Sequence, residues 1–127
     1  MTEITALDIL IVEDHEPMRA MLRKTLERAG VSAIREAANG AEALKLLASR
    51  PADLILADQT MPEMDGLTFV ARVRADPRCA HARIVMLSGH ADGRHSEAAR
   101  AAGVDALLAK PIAPRDLLAA LNRVLIG

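Results

Sequence analysis

Short apolar runs alternate with longer amphipathic stretches along the chain, and this unit occurs five times. Unbroken aliphatic runs of four or five residues are typical of strands that are covered on both faces. Such runs predict strands at 9–12, 54–57, 84–87 and 106–109, and we expect a further strand at 33–37. Five strand–helix units with short links predict an α/β fold, in which helices cover both faces of a parallel sheet.

Helix signals occupy the segments between these runs. Pro17 can open the first helix, because a first-turn residue needs no N–H donor, and Gly30 ends it. Asn39 with Glu42 three residues later resembles a capping box for the second helix. The remaining signals are a polar loop at 58–65 before the third helix, an alanine-rich fourth helix near 96–102, and Pro114 at the start of the fifth.

The composition limits the class of protein. A chain of 127 residues fits one domain, so we expect a single domain over 1–127 with no output domain attached. Phe69 is the only aromatic residue, so the predicted core is aliphatic. A net charge of −1 argues against direct binding to nucleic acid or to an anionic membrane. The lone Cys79, and the absence of a signal peptide or a long apolar run, lead us to expect a cytoplasmic protein.

Polar side chains follow four of the five predicted strands. Glu13 and Asp14 follow the first strand, Asp58 the third, Ser88 the fourth and Lys110 the fifth. Functional groups of parallel α/β sheets gather at the carboxyl ends of the strands, so these residues should converge. Clustered carboxylates repel each other unless a cation neutralises them, and oxygen-rich sites suit Mg²⁺, with Mn²⁺ as a possible substitute.

This set of residues fits one kind of chemistry. An aspartate can act as a nucleophile toward a phosphoryl group and form an acyl phosphate, which would be Asp58 here. A divalent cation stabilises charge on the phosphoryl oxygens during in-line transfer. The hydroxyl of Ser88 and the ammonium of Lys110 could hold the remaining phosphoryl oxygens.

Four motifs, in order and spacing, resemble the receiver domain of two-component response regulators of the chemotaxis type. The resemblance covers residues 7 to 125, and its motifs are the segments 9–14, 58–66, 86–91 and 102–111. It implies a flavodoxin-like (βα)5 fold, a doubly wound five-stranded parallel sheet in the order 2-1-3-4-5. It also implies a signalling protein that catalyses only its own phosphorylation and dephosphorylation.

The resemblance implies a role for each site residue. Asp58 matches the phosphoacceptor, and Glu13, Asp14, Asp58 and the backbone carbonyl of Thr60 match the magnesium ligands. Ser88 matches the hydroxyl that moves toward phosphate, and Lys110 the phosphate-binding lysine. The Lys110–Pro111 peptide is expected to be cis, and Gly66 matches a glycine at the start of the third helix.

One position departs from the family. Many receivers carry an aromatic residue three positions before the lysine, and Leu107 stands there in a chain that has no tyrosine. Our hypothesis is that Leu107 and the fourth helix (97–102) repack on phosphorylation with a smaller change in surface.

The implied partners are a histidine kinase or a histidine phosphotransfer protein as donor, and a protein target on the helix 4–strand 5–helix 5 face. The chain would be a monomer or a weak phosphorylation-dependent dimer. An alternative is a phosphorylation-independent protein-interaction module, which the acidic residues argue against. An aspartyl-phosphate hydrolase would need a second acid where Thr60 stands.

Two further groups of residues have ordinary interpretations. The basic residues of the first helix are typical of a solvated face, although this helix of receivers also helps to dock the phosphodonor: Arg19, Arg23, Lys24 and Arg28. The four histidines show no metal-ligand grouping. His90, two residues after Ser88, either borders the site or is an exposed loop residue.

Overall fold

The computed structural model describes residues 3–89 and 93–126, in which five strands alternate with five α-helices. The strands are β1 (Asp8–Val12), β2 (Ala33–Ala37), β3 (Leu54–Asp58), β4 (Arg83–Ser88) and β5 (Ala106–Ala109). The helices are α1 (Glu16–Arg28), α2 (Gly40–Ser49), α3 (Gly66–Ala75), α4 (Gly93–Ala102) and α5 (Pro114–Ile126). None of the helices in this part of the chain is long and apolar enough to cross a membrane.

The five strands form one parallel sheet in the order β2-β1-β3-β4-β5, which confirms the predicted fold class and topology. Alternate residues of β1 enter two separate cores, one on each face of the sheet. Leu10 and Val12 pack in the core that contains Phe69, whereas Ile9 and Ile11 pack in the core on the other face. Because β1 is buried on both faces, its apolar run is unbroken.

Several predicted boundaries differ from the structure, most of them by one residue. The first helix begins at Glu16, one residue before Pro17, and α4 begins at Gly93 rather than near residue 96. The strands β3 and β4 each extend one residue further than predicted, to Asp58 and Ser88, because both residues still pair with the adjacent strand.

The cap predicted for the second helix is present. Asn39 precedes α2, and its side chain accepts a hydrogen bond of 2.8 Å from the backbone N–H of Glu42. An acceptor at this position satisfies one of the backbone donors that a helix start leaves unpaired.

Candidate functional site

Three carboxylates meet at the carboxyl end of the sheet. Glu13 and Asp14 directly follow β1, and Asp58 ends the neighbouring strand β3. One carboxylate oxygen from each residue lies within 4.8 Å of those from the other two. Glu13 and Asp58 are buried, at 0% and 4% exposure, whereas Asp14 is exposed. The cluster is therefore open to solvent at Asp14.

The environment of Glu13 favours the binding of a cation. Both of its carboxylate oxygens are buried and accept no hydrogen bond from the described residues. Burial raises the pKa of Glu13 to about 8, the Asp58 and Asp14 carboxylates add to the rise, and Lys110 opposes it. A buried ionised carboxylate needs a compensating positive charge. A divalent ion would supply this charge and bind the Glu13 oxygens.

Lys110 brings a positive charge to the same cluster. Its Nζ atom lies 3.0 Å from Oδ2 of Asp58 and 3.6 Å from Oε1 of Glu13. Burial lowers the pKa of Lys110, but attraction to Asp58 and Glu13 outweighs this effect and raises it overall. The backbone N–H of Lys110 donates to the carbonyl of Ser88, and the Lys110–Pro111 peptide is cis. The lysine is thus tied to β4 and remains charged.

Ser88 ends β4 and is completely buried. Its hydroxyl donates a hydrogen bond to Oε1 of Gln59, the residue that follows Asp58. Our reasoning from the sequence missed Gln59. Asp58 pairs with Leu87, and this places Gln59 beside Ser88. The strand register is therefore the signal that could have identified Gln59.

The segment after Asp58 folds back tightly. The backbone N–H of Thr60 donates to Oδ1 of Asp58 at 3.3 Å, and that of Gly66 donates to the carbonyl of Gln59 at 2.8 Å. A Cβ atom on Gly66 would lie 2.6 Å from the carbonyl oxygen of Asp58 and 2.7 Å from Cα of Gln59. Only glycine lets the start of α3 approach the end of β3 this closely.

The interpretation of Arg19 as part of a solvated face is wrong, because its side chain is only 19% exposed. Arg19 donates to the backbone carbonyl of Glu13 at 2.8 Å and to Oε1 of Glu36 at 3.1 Å. Arg23 donates to Oε2 of the same glutamate at 2.6 Å and pairs more loosely with Glu27 at 3.4 Å. The two arginines bind α1 to β2, because both donate to Glu36, which belongs to β2. Lys24 and Arg28 are exposed, as expected.

Leu107 occupies the position where the family carries an aromatic residue. It is half-buried on the edge strand β5 and packs against the core that contains Phe69. Cavities of about 410 Å³ and 220 Å³ both have Leu107 in their lining, one beside Val124 of α5 and the other beside Ala99 of α4. Two partly open clefts therefore border Leu107. His90 lies outside the described residues.

Known proteins resemble this chain in sequence and in fold. The family model of the response regulator receiver domain matches residues 9–122. Chemotaxis protein CheY1 of Helicobacter pylori (strain J99) is 36% identical over 120 residues, which cover 94% of this chain and 97% of that protein.

Two solved structures are similar in fold. Chemotaxis response regulator CheY4 of Vibrio cholerae has a TM-score of 0.87 at 34% identity, covering 91% of this chain and 96% of its own. The receiver domain of sensor histidine kinase PA1611 from Pseudomonas aeruginosa PAO1 was solved with a magnesium ion coordinated in its active site cleft. Its TM-score is 0.85 at 26% identity, covering 95% of this chain and 98% of its own.

Proposed function

The chain belongs to the response regulator receiver domain family, the signalling domains of two-component systems, and on that premise we propose that it accepts a phosphoryl group on Asp58. The donor would be a histidine kinase or a histidine phosphotransfer protein in the cytoplasm. The observation that carries the proposal is the cluster of Glu13, Asp14 and Asp58 within 4.8 Å, with the Lys110 ammonium 3.0 Å from Asp58.

The residues present fit a magnesium ion. Glu13, Asp14, Asp58 and the backbone carbonyl of Thr60 would hold it, and Mn²⁺ would find the same oxygen donors. Ligands on one Mg²⁺ lie about 2.0–2.1 Å from the ion and so up to about 4 Å from each other, close to the observed spacing of the carboxylates. The two carboxylate oxygens of Glu13, which accept no hydrogen bond from the part of the chain that the structure describes, support this assignment. The ion would neutralise the cluster and stabilise charge on the phosphoryl oxygens.

In the transfer, the residues at this strand end would act on the phosphohistidine of the donor with the aid of the divalent ion. A carboxylate oxygen of Asp58 attacks phosphorus, the phosphorus–nitrogen bond to the donor histidine breaks, and its electron pair returns to the imidazole. The product is an acyl phosphate on Asp58 and a free histidine on the donor. The Lys110 ammonium would move from the Asp58 carboxylate to a phosphoryl oxygen. The Ser88 hydroxyl would donate a hydrogen bond to a second phosphoryl oxygen. The exposed side of the cluster at Asp14 would admit the donor.

Signalling would follow from a shift between two conformations of the domain. We place the output surface on α4, β5 and α5, where two partly open clefts border Leu107. A downstream protein, or weakly a second copy of the chain, would recognise the phosphorylated form there. The chain therefore acts as a signalling protein whose catalysis is confined to its own aspartate.

Small phosphodonors test the assignment directly. Incubation with acetyl phosphate or phosphoramidate and Mg²⁺ should add one base-labile phosphate, detected as an 80 Da gain in mass (a value set by HPO₃). Asp58→Asn should prevent the gain, whereas the matched control Asp116→Asn, at an exposed position of α5, should not. Stoichiometric labelling of Asp58→Asn would contradict the phosphoacceptor assignment. A wild-type chain that neither binds Mg²⁺ nor accepts phosphate would instead favour a phosphorylation-independent interaction module.

A further inference from the structure

The contact between Gln59 and Ser88 joins two residues whose backbones are both held in place. The N–H of Gln59 donates to the carbonyl of Leu87, and its carbonyl accepts from Gly66, each at 2.8 Å. The carbonyl of Ser88 accepts from the N–H of Lys110, also at 2.8 Å. The hydrogen bond from the Ser88 hydroxyl to Oε1 of Gln59 can therefore break by side-chain rotation without displacing the strands.

The chemistry of a hydroxyl makes this contact exclusive. Ser88 has one hydroxyl proton, so it cannot donate to Gln59 and to a phosphoryl oxygen at the same time. Ser88 is completely buried, and Gln59 accepts its hydroxyl proton while Asp58 is unmodified. Gln59 is only half-buried, so water can hydrate its amide after the serine turns away.

We propose that Gln59 is a positioning residue that holds the Ser88 hydroxyl in the unmodified state and thereby sets how readily the domain adopts its phosphorylated conformation. This inference rests on the proposed function, in which Ser88 donates to a phosphoryl oxygen. A charged phosphoryl oxygen is a stronger acceptor than an amide carbonyl, so the exchange favours the phosphorylated form. Each activation nevertheless has to break the bond to Gln59 first, and this contact therefore lowers the affinity of the site for a phosphoryl group.

Beryllofluoride, a stable analogue of the phosphoryl group, provides the test. Its dissociation constant would be measured at saturating Mg²⁺ from backbone amide NMR shifts, since the chain has no tryptophan or tyrosine for fluorescence. Gln59→Leu, which keeps the side-chain size and removes the acceptor, should bind beryllofluoride about 3- to 10-fold more tightly than the wild type. The dissociation constant for Mg²⁺ alone should not change. Asn122→Leu, an equivalent change at an exposed amide of α5, is the matched control.

A double-mutant cycle separates positioning from a merely structural role. In the Ser88→Ala background, Gln59→Leu should leave beryllofluoride affinity unchanged, because the hydroxyl that donates to Gln59 is gone. An equal effect in both backgrounds, or no effect in the presence of Ser88, would overturn the inference. A wild-type chain that does not bind beryllofluoride with Mg²⁺ would instead defeat the proposed function, so the two failures are distinguishable.

A second measurement does not depend on the folding of Gln59→Leu. Gln59 is the only glutamine in the chain, so its side-chain NH₂ signals can be followed by NMR in the wild type. Addition of beryllofluoride should shift these signals, and Ser88→Ala should shift them in the absence of beryllofluoride. Signals that stay in place in both experiments would overturn the inference.

Discussion

The guanidinium of Arg19 donates a hydrogen bond of 2.8 Å to the backbone carbonyl of Glu13, the buried acid of the proposed metal site. A side chain of α1 thus holds the turn between β1 and α1 through the backbone of the buried acid. Glu36 orients the guanidinium through its own bond to Nε at 3.1 Å. The affinity of the site for a cation should therefore depend on a residue that does not bind the cation.

Replacement of this arginine should weaken metal binding. Arg19→Met removes a hydrogen bond from a charged donor, and we expect Mg²⁺ affinity to fall about 3- to 10-fold. Labelling of Asp58 at saturating Mg²⁺ should persist. The matched control is Arg23→Met, because Arg23 contacts Glu36 and Glu27 but not Glu13. Calorimetric titration measures both variants, and equal losses would show that only the attachment of α1 to β2 matters.

The pKa of Glu13 predicts how stability depends on pH. This pKa is about 8 in the folded protein against an ordinary 4.5, so between these values the folded state binds more protons than the unfolded state. Stability of the metal-free protein should therefore be greatest below pH 4.5, as far as Glu13 contributes, and should fall as the pH rises toward 8, by on the order of 2–4 kcal/mol.

Urea unfolding in EDTA at pH 5.5, 7 and 8.5 measures this effect. Glu13→Gln should remove the decline relative to the wild type, because the amide does not titrate. For the same reason, Mg²⁺ should bind the wild type more tightly as the pH rises toward 8, since the metal competes with the proton. Parallel stability profiles for the two proteins would contradict the assignment.

A single methyl group at Gly66 should disturb the end of β3. In Gly66→Ala, the new Cβ would lie 2.6 Å from the carbonyl oxygen of Asp58, and we expect a loss of about 2–3 kcal/mol in the free energy of unfolding. Gly89→Ala is the control, because a Cβ there meets no atom within 4 Å, and its effect should stay within about 0.5 kcal/mol. Denaturant midpoints measure both, and a neutral Gly66→Ala would refute the steric requirement.

The role of Lys110 can be separated from metal binding. Lys110→Ala should leave Mg²⁺ affinity largely intact while it uncouples phosphorylation of Asp58 from the response of α4 and β5. The ammonium is 3.0 Å from Asp58 but is not a metal ligand. Lys45→Ala, at an exposed position of α2, serves as control. Loss of Mg²⁺ binding in Lys110→Ala, with coupling unchanged, would show that the lysine has a different role.

Leu107, at a position where many receivers carry an aromatic residue, leads to a prediction about the output surface. Phosphorylation or beryllofluoride should shift the backbone amide signals of α4 and β5, because two partly open clefts border Leu107. The signals of β2, at the opposite edge of the sheet, should change much less. Unchanged signals around α4 and β5 would end the hypothesis that a leucine replaces the aromatic residue in transmitting the signal.

Contacts between distant residues were the part that reasoning from the sequence missed. Gln59 looked like a loop residue, and Arg19 like a solvated one, because their partners Ser88 and Glu36 are distant in the chain. Which side chains meet across neighbouring strands depends on the register and on the side-chain rotamers, and neither is encoded locally.

The sequence by itself determined the five strands, their alternation with helices and the residues at the strand ends. An unbroken aliphatic run can be satisfied only by burial on both faces, and parallel strands necessarily bring their carboxyl ends to one edge of the sheet. Only the tertiary structure decided the environment of those residues. Among the described residues, the buried oxygens of Glu13 accept no hydrogen bond, close packing demands a glycine at residue 66, and the register places Gln59 against Ser88. These properties arise from atoms that come together only when the sheet and its helices have packed.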